Sequence, residues 1–393
     1  MITRRALVAA AVASLALSGC GGSSLSEAPT PARVKIGLLV SLSGIYKSVG
    51  EDMRKGAELY LSTHGNKLGG HEVDLIVADE GDGGNLARPA AEKLIKQDKV
   101  LALAGIVGGG TVNAVKPLVD EARIPLIGAN GRPTTMDNVT WVWHTSYIST
   151  DPGVAMGEYV HKAVNGPVYA IGPDYQGGWD ELKGFTDTFT AAGGKLANSD
   201  GKTKFTPFPA TTNFQPYLAD IEKSGAKAVY CFYAGKAAID FVQQYKQFGL
   251  AGKVPLYAAG FLTEGSVLTP QGDAAKGIKN SLNYAADLDN PTNRSFVAAY
   301  QGAHNTLPTT FAMSTYDAMA VLDRAIGAAG ADVSAEKVNQ AVGSLGQIDS
   351  PRGAWQFNPK THSPVQRWYL REVRLDGPTL TNVVVQELPT IGG

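Results

Sequence analysis

The chain has 393 residues, of which 44% are hydrophobic and 18% charged, so it carries enough apolar material for more than one soluble core. Its formal net charge is −1 and it has no basic stripe. A protein that grips phosphate backbones needs such a stripe, so nucleic acid is not an expected partner.

The first twenty residues have the features of a secretion signal. Two arginines precede an apolar run over 6–17, and small residues follow it. This run is too short for a membrane span, which takes about 20 apolar residues. Because Leu17-Ser18-Gly19-Cys20 resembles a bacterial lipobox, we expect removal of residues 1–19 and lipidation of Cys20. The alternative is an ordinary signal peptide with an incidental cysteine.

Residues 20–32 are rich in Gly, Ser and Pro, which predicts a tether between the lipid and a folded body. With Cys20 lipidated, Cys231 has no partner for an intramolecular disulfide. Cys231 lies in a strand-like run and is predicted to be a buried, inert residue.

From residue 34 onward, short β-branched runs alternate with amphipathic helical segments, a pattern typical of parallel sheets with crossover helices. A first series predicts strands over 34–40, 73–78, 100–104 and 124–127, and helices over 51–61, 86–97 and 111–121. A second series begins near Trp141, with strands over 168–171 and 228–232 and helices over 153–163, 179–192, 215–223 and 237–248. Later helices (293–304, 314–328, 335–342) and strands (355–357, 368–373) are shared between the two.

The sequence therefore predicts an α/β protein with two Rossmann-like, doubly wound lobes. Lobe 1 is expected over 33–147 and 282–346, and lobe 2 over 148–281 and 347–393. No repeat of fixed period relates the lobes, so their similarity is architectural.

Several segments, in order and spacing, resemble type I periplasmic binding proteins of the leucine/isoleucine/valine-binding branch. They include Val40-Ser41-Leu42-Ser43-Gly44, Gly105-Ile106-Val107-Gly108-Gly109-Gly110 and Gly172-Pro173-Asp174-Tyr175, and the similarity covers roughly 33–375. The resemblance implies two lobes joined by three hinge crossovers. It also implies a small solute in the cleft, an inner-membrane ABC permease as partner, and no catalysis. We expect an exported, membrane-anchored protein.

Two loops that follow strands are the predicted anion-binding elements. Gly109, Gly110 and Thr111 lie between a strand and a helix, where backbone N–H groups and a hydroxyl can hold an anion. The resemblance implies that this loop binds a carboxylate. Gly131 and Arg132 follow the next strand, and the guanidinium of Arg132 can clamp an anion. The alternatives are a tight turn without a ligand and a solvated arginine.

Tyrosines supply the predicted apolar walls of the cleft. Tyr46, Tyr147, Tyr175 and Tyr284 stand at or near cleft positions of the family, and aromatic walls suit an apolar or aromatic solute. Ser43 of the first motif completes the predicted binding set. Each tyrosine has ordinary packing as its alternative role.

Other site chemistries have no support in the sequence. The six histidines lack close metal-ligand spacing, and no Gly-x-Ser-x-Gly elbow is present. We therefore expect neither metal, cofactor nor enzymatic activity. Transport is the favoured function, and a ligand-sensing receptor of the same fold is the alternative.

The resemblance also bears on the solute. Amino-acid binders of the family hold the ammonium group with an acidic residue, and that position falls on Ala237 here. An α-amino acid is then expected to bind poorly unless Asp174 or Asp240 reaches inward, since a buried unpaired ammonium is costly. The prediction is a small carboxylate with an apolar or aromatic body. Branched-chain or other amino acids remain the alternative.

Overall fold

The computed structural model describes residues 33–392, so the predicted signal peptide, Cys20 and most of the tether lie outside the described residues. Among residues 33–392, no helix is both long and apolar enough to cross a bilayer.

The first lobe is built on a six-stranded sheet with the strand order β2-β3-β1-β4-β5-β7. All neighbouring strands run parallel except β2, which is antiparallel to β3. Its strands are β1 (Val34–Val40), β2 (Lys67–Leu68), β3 (His71–Asp79), β4 (Ala102–Gly105), β5 (Leu126–Gly128) and β7 (Val142–His144). Between them lie α1 (Lys47–Thr63), α2 (Gly84–Lys93), which continues as a π-helical turn at Leu94–Asp98, and α3 (Gly109–Ala122).

A two-stranded ribbon follows this sheet. It consists of β6 (Gly131–Arg132) and β8 (Tyr147–Ile148), with Gly131 opposite Tyr147. The predicted second series of elements begins too early, because β7 pairs in parallel with β5 and so belongs to the first sheet.

The second lobe is built on an eight-stranded sheet with the order β10-β9-β11-β12-β13-β15-β14, and β16 pairs with β15. Its strands are β9 (Val168–Pro173), β10 (Lys204–Thr206), β11 (Ala228–Cys231), β12 (Leu256–Ala259), β13 (Lys279–Leu282), β14 (Gln356–Phe357), β15 (Pro364–Asp376) and β16 (Thr379–Ile391). Its helices are α4 (Asp151–Ala163), α5 (Gln176–Ala191), α6 (Gln215–Lys223), α7 (Gly235–Gln247) and α8 (Leu268–Gln271), with short 3₁₀ turns over 260–267 and 272–274. Cys231 is fully buried in this lobe.

Three further helices return to the first lobe: α9 (Pro291–His304), α10 (Thr310–Ala329) and α11 (Ala335–Val342). The close approach of α1 to α10 depends on Gly56, since a Cβ there would lie 2.1 Å from the Ala312 carbonyl oxygen. The chain thus passes between the lobes three times, over 145–150, 283–290 and 343–355. The exact lobe boundaries at 147, 281 and 346 remain our proposal.

Candidate functional site

A cavity of about 550 Å³ lies between the lobes, and both lobes supply its walls. The first lobe and its ribbon contribute residues from α1, from the loop and first turn of α3, and from β6 and β8. The second lobe contributes residues from α5 and from the loops after β11 and β12. The lining is Tyr46, Val49, Val107, Gly108, Gly109, Asn130, Gly131, Tyr147, Ser149, Tyr175, Gly177, Glu181, Phe232, Ala234, Phe261 and Phe311.

Six aromatic side chains make up much of this wall: Tyr46, Tyr147, Tyr175, Phe232, Phe261 and Phe311. Phe261 is central, with ring centroids 5.4 Å from Tyr147, 5.8 Å from Phe232 and 6.0 Å from Phe311. The Tyr46 hydroxyl donates across the cleft to the Tyr175 hydroxyl at 3.2 Å. Such a cavity favours a flat, apolar body, because aromatic surfaces bury area at little conformational cost.

The N-terminus of α3 meets the same cavity at Gly109. The first hydrogen bond of this helix runs from the Val112 N–H to the Gly108 carbonyl, so the N–H groups of residues 109–111 have no acceptor within the helix. These free donors and the positive end of the helix dipole favour an anion. An anion bound here would rely on such dipoles, since the lining contains no Lys, Arg or His.

Glu80 takes up the backbone donors of the loop that precede Gly109. Its carboxylate accepts hydrogen bonds from the N–H groups of Val107 (3.0 Å) and Gly108 (3.1 Å) and from the Ser41 hydroxyl (3.1 Å). Burial raises the pKa of Glu80 to about 8, although these hydrogen bonds oppose the rise. Glu80 therefore occupies two donors of the loop and sets its shape.

The ribbon forms another part of the wall. Gly131 lines the cavity, and a Cβ there would lie 2.8 Å from the Ser149 hydroxyl oxygen, so the close packing requires glycine. Tyr147 donates from its hydroxyl to Asn130 Oδ1 at 2.7 Å, which fixes the ring against the cavity.

Five predicted residues (Tyr46, Gly109, Gly131, Tyr147 and Tyr175) therefore meet at one cavity, and whether they bind a ligand stays a prediction. The other five do not line it. Ser43 is exposed and its hydroxyl bonds the Asp79 carboxylate. Gly110 and Thr111 lie in the first turn of α3 but outside the lining.

Arg132 and Tyr284 require correction. Successive residues of a strand face opposite sides, so Gly131 faces the cavity while Arg132 turns away and donates to the Met136 carbonyl at 3.0 Å. Tyr284 is fully buried in a separate core cluster, where its hydroxyl donates to Asn293 Oδ1 at 3.0 Å. Its role is packing.

The candidate ammonium partners also lie outside this lining. Asp174 accepts a hydrogen bond from Trp179 Nε1 at 2.7 Å, and Asp240 pairs with Lys236 at 2.5 Å. Asp240 and Ala237 line a neighbouring cavity of about 640 Å³, which shares Tyr46 and Ala234 with the first.

Sequence reasoning did not find Glu181, the one acidic residue in the lining. It lies in the first half of α5, where it is buried beside Asp180, and no sequence pattern distinguishes it from a solvated helix carboxylate. The phenylalanines were also missed, although Phe232 directly follows strand β11 and so stands where parallel strands present ligand contacts.

Known proteins share this architecture along almost the whole chain. Residues 33–378 match the periplasmic binding protein family. The Leu/Ile/Val-binding protein homolog 6 of Brucella melitensis is 29% identical over 361 residues, which cover 90% of this chain and 91% of that protein.

Two solved structures from R. palustris are similar, and both are solute binding proteins of ABC transporters. One, in complex with benzoate, is 32% identical with a TM-score of 0.82, covering 92% of this chain and 98% of that one. The other, in complex with 4-hydroxybenzoate, is 27% identical with a TM-score of 0.83, covering 91% and 97%. The expected two-lobed α/β fold and the resemblance are thereby confirmed. The chain belongs to the periplasmic binding protein family.

Proposed function

We propose that this protein captures a small aromatic carboxylate of the benzoate type between its lobes and delivers it to an ABC importer, without catalysing a reaction. The observation that carries the proposal is a single cavity that combines six aromatic side chains with the N-terminus of α3. The benzoate and 4-hydroxybenzoate complexes of the two similar proteins support the same solute class.

The physical match has two parts. A phenyl ring buries its faces against the tyrosines and phenylalanines, and its carboxylate accepts hydrogen bonds from the first N–H groups of α3. A cation is unnecessary in this arrangement, because several convergent N–H dipoles stabilise one negative charge.

An amino acid is the main alternative solute, because Glu181 could pair with its ammonium group. The structure places a carboxyl group in the cavity, although Ala237 lies elsewhere. An ionised Glu181 would offer the partner that an ammonium group needs. Phenylalanine is therefore the informative competitor, since it combines an aromatic ring, a carboxylate and an ammonium.

Calorimetry with benzoate, 4-hydroxybenzoate, phenylalanine and leucine separates the two solute classes. We expect a micromolar or tighter Kd for benzoate or a hydroxylated benzoate, and binding at least a hundredfold weaker for both amino acids. Micromolar binding of leucine or phenylalanine, with no heat from aromatic acids, would return the protein to the amino-acid branch.

Transport and sensing are separated in cells. Deletion of the gene should abolish high-affinity uptake of labelled benzoate if the protein serves a permease. Unchanged uptake together with lost transcriptional or chemotactic responses to benzoate would identify a sensing receptor instead.

We further propose that Cys20 anchors the exported protein to the membrane. Cys20→Ser should move it from the membrane fraction to the soluble fraction. Cys231→Ser is the matched control, because Cys231 is fully buried in the second lobe and its replacement should leave the fractionation unchanged. A Cys20→Ser protein that stays membrane-bound would refute the anchor.

A further inference from the structure

Glu181 is a buried carboxyl group that faces the aromatic cavity without a cationic partner. Its residue is 2% exposed, and it is the only acidic member of the cavity lining among residues 33–392. No Lys, Arg or His nitrogen of the described chain forms an ion pair with it within 4.0 Å. Burying a carboxyl group in an apolar wall costs free energy, because its hydration is lost. Such a group in a cavity is therefore a candidate for a functional role.

Tyr230 holds the carboxyl group in place. Its hydroxyl donates to Glu181 Oε1 at 2.6 Å, and its ring stacks on Phe185 with the centroids 3.7 Å apart. Oε1 also lies beside α4, where a Cβ on Gly153 would come within 3.1 Å of it. Oε1 is thus held by the protein, and the carboxyl group is fixed at this edge of the cavity.

The surrounding charges favour the neutral form. Asp151 on α4 and Asp180 on α5 both act on Glu181 as negative neighbours. Tyr147 and Tyr175 face it from the ribbon and from the start of α5. Burial is the largest cause that raises the pKa of Glu181 well above its usual range, and the Tyr230 hydrogen bond opposes this only in part.

We propose that Glu181, positioned by Tyr230, is the hydrogen-bond donor that recognises a ring hydroxyl of the solute, so that the preferred ligand is a hydroxylated benzoate. This inference rests on the proposed function. The Tyr230 hydroxyl donates to Oε1, and the protonated Oε2 donates to the phenolic oxygen. An unsubstituted ring leaves the Oε2 proton without an acceptor, and a buried polar site discriminates strongly against such a ligand.

The chemistry differs from that of an amino-acid site. To hold an ammonium, Glu181 must be ionised and must accept hydrogen bonds. To hold a phenol beside a benzoate anion, it must be neutral and must donate. The two roles have opposite dependences on pH, so solution measurements distinguish them.

The test is calorimetry of the full-length folded protein with benzoate, 3-hydroxybenzoate, 4-hydroxybenzoate and 4-methylbenzoate. The wild-type protein should bind at least one hydroxybenzoate about tenfold or more tightly than benzoate, and 4-methylbenzoate no more tightly than benzoate. Equal affinities for benzoate and both hydroxybenzoates would overturn the proposal while leaving the proposed function intact. Binding of leucine or phenylalanine instead of any aromatic acid would overturn both.

Variants at position 181 distinguish hydrogen-bond donation by this side chain from the effect of its shape on the cavity. Glu181→Gln keeps an acceptor for Tyr230 and supplies an amide donor, so it should retain the preference. Glu181→Met should lose the preference for hydroxybenzoates over benzoate. The control is Glu158→Gln, which removes the same carboxyl group from an exposed position on α4. A Glu181→Met protein with the full preference would refute the assignment.

A pH series makes the test independent of whether Glu181→Met folds. As pH rises through the raised pKa of Glu181, the donor is lost and a negative charge appears beside an anionic solute. Affinity of the wild type for hydroxybenzoates should therefore fall as the pH rises through that raised pKa, while the affinity of Glu181→Gln shows no matching fall. Parallel profiles for the two proteins would contradict the neutral-donor role.

Discussion

Arg352 lies in the third segment that passes between the lobes and connects it to the other two. Its Nη2 donates to the Thr145 carbonyl at 2.5 Å, and its Nη1 donates to Gln366 Oε1 at 2.7 Å. Gln366 Oε1 also accepts from Asn283 Nδ2 at 3.0 Å, at the start of the second segment. The guanidinium further pairs with Asp317 at 2.9 Å. Arg352→Met should therefore destabilise the whole connection between the lobes.

The magnitude follows from burial. The side chains of Arg352 and Asp317 are each 1% exposed, and removing one partner of such a pair costs about 3–5 kcal/mol because the other charge stays buried. Asp317 would keep hydrogen bonds from Ser350 (2.7 Å) and Trp355 (3.2 Å). Burial already raises the pKa of Asp317 to about 6, so the variant can protonate it and relieve part of the cost. We expect a loss of about 3 kcal/mol at pH 7.

Urea unfolding of Arg352→Met measures this loss, and Arg367→Met is the matched control. The Arg367–Glu387 pair has a similar length, 3.0 Å, but both side chains are 60% exposed, so its loss should cost about 1 kcal/mol or less. Because protonation of Asp317 relieves the cost, the destabilisation of Arg352→Met should be smaller at pH 5 than at pH 8. Equal destabilisation of the two variants at pH 7 would refute the reasoning.

Three further outcomes are expected. Glu80, whose pKa is raised to about 8, contributes stability at low pH that is lost as pH rises through that value. From pH 5 to pH 8, the unfolding free energy of Glu80→Gln should therefore decline less than that of the wild type, and equal declines would contradict this role of Glu80. Thr134 Oγ1 donates across the cleft to Asp180 Oδ1 at 2.6 Å, and Thr134→Val should weaken benzoate binding about three- to tenfold by calorimetry. Unchanged affinity would show that this contact between the lobes does not support binding. Tyr284→Phe should lower the unfolding free energy by about 1 kcal/mol through its lost bond to Asn293 and leave the benzoate Kd unchanged; a weakened Kd would restore Tyr284 to the site.

Local patterns in the sequence predicted most of the regular structure. The strand predicted over 34–40 and the helices over 215–223 and 335–342 coincide with β1, α6 and α11. The long strand β16 was not predicted, because almost all its side chains are exposed or half-buried without a buried alternation, and it gains its stability from pairing with β15. The helix predicted over 86–97 is observed as α2 and the π-helical turn that continues it to Asp98.

Tyr147 and Tyr284 show that tertiary structure decides which buried tyrosine lines the cavity. Both are buried and both were predicted to line the cleft, yet Tyr147 faces the cavity and Tyr284 faces a core cluster. Sequence spacing indicates that a side chain is buried. It does not indicate whether that side chain faces a cavity or packed core atoms. That distinction depends on how two distant segments meet.

The sequence by itself determined the alternation of strands and helices, the glycine-rich turn at the start of α3 and the position of several tyrosines at strand ends, because these depend on local periodicity and on backbone geometry. Only the tertiary structure decided that Glu181 faces the cavity, since a carboxyl group on a helix is normally solvated. Its burial arises where α5 packs beside Gly153 of α4 and Tyr230 of β11, residues 28 and 49 positions away in the chain.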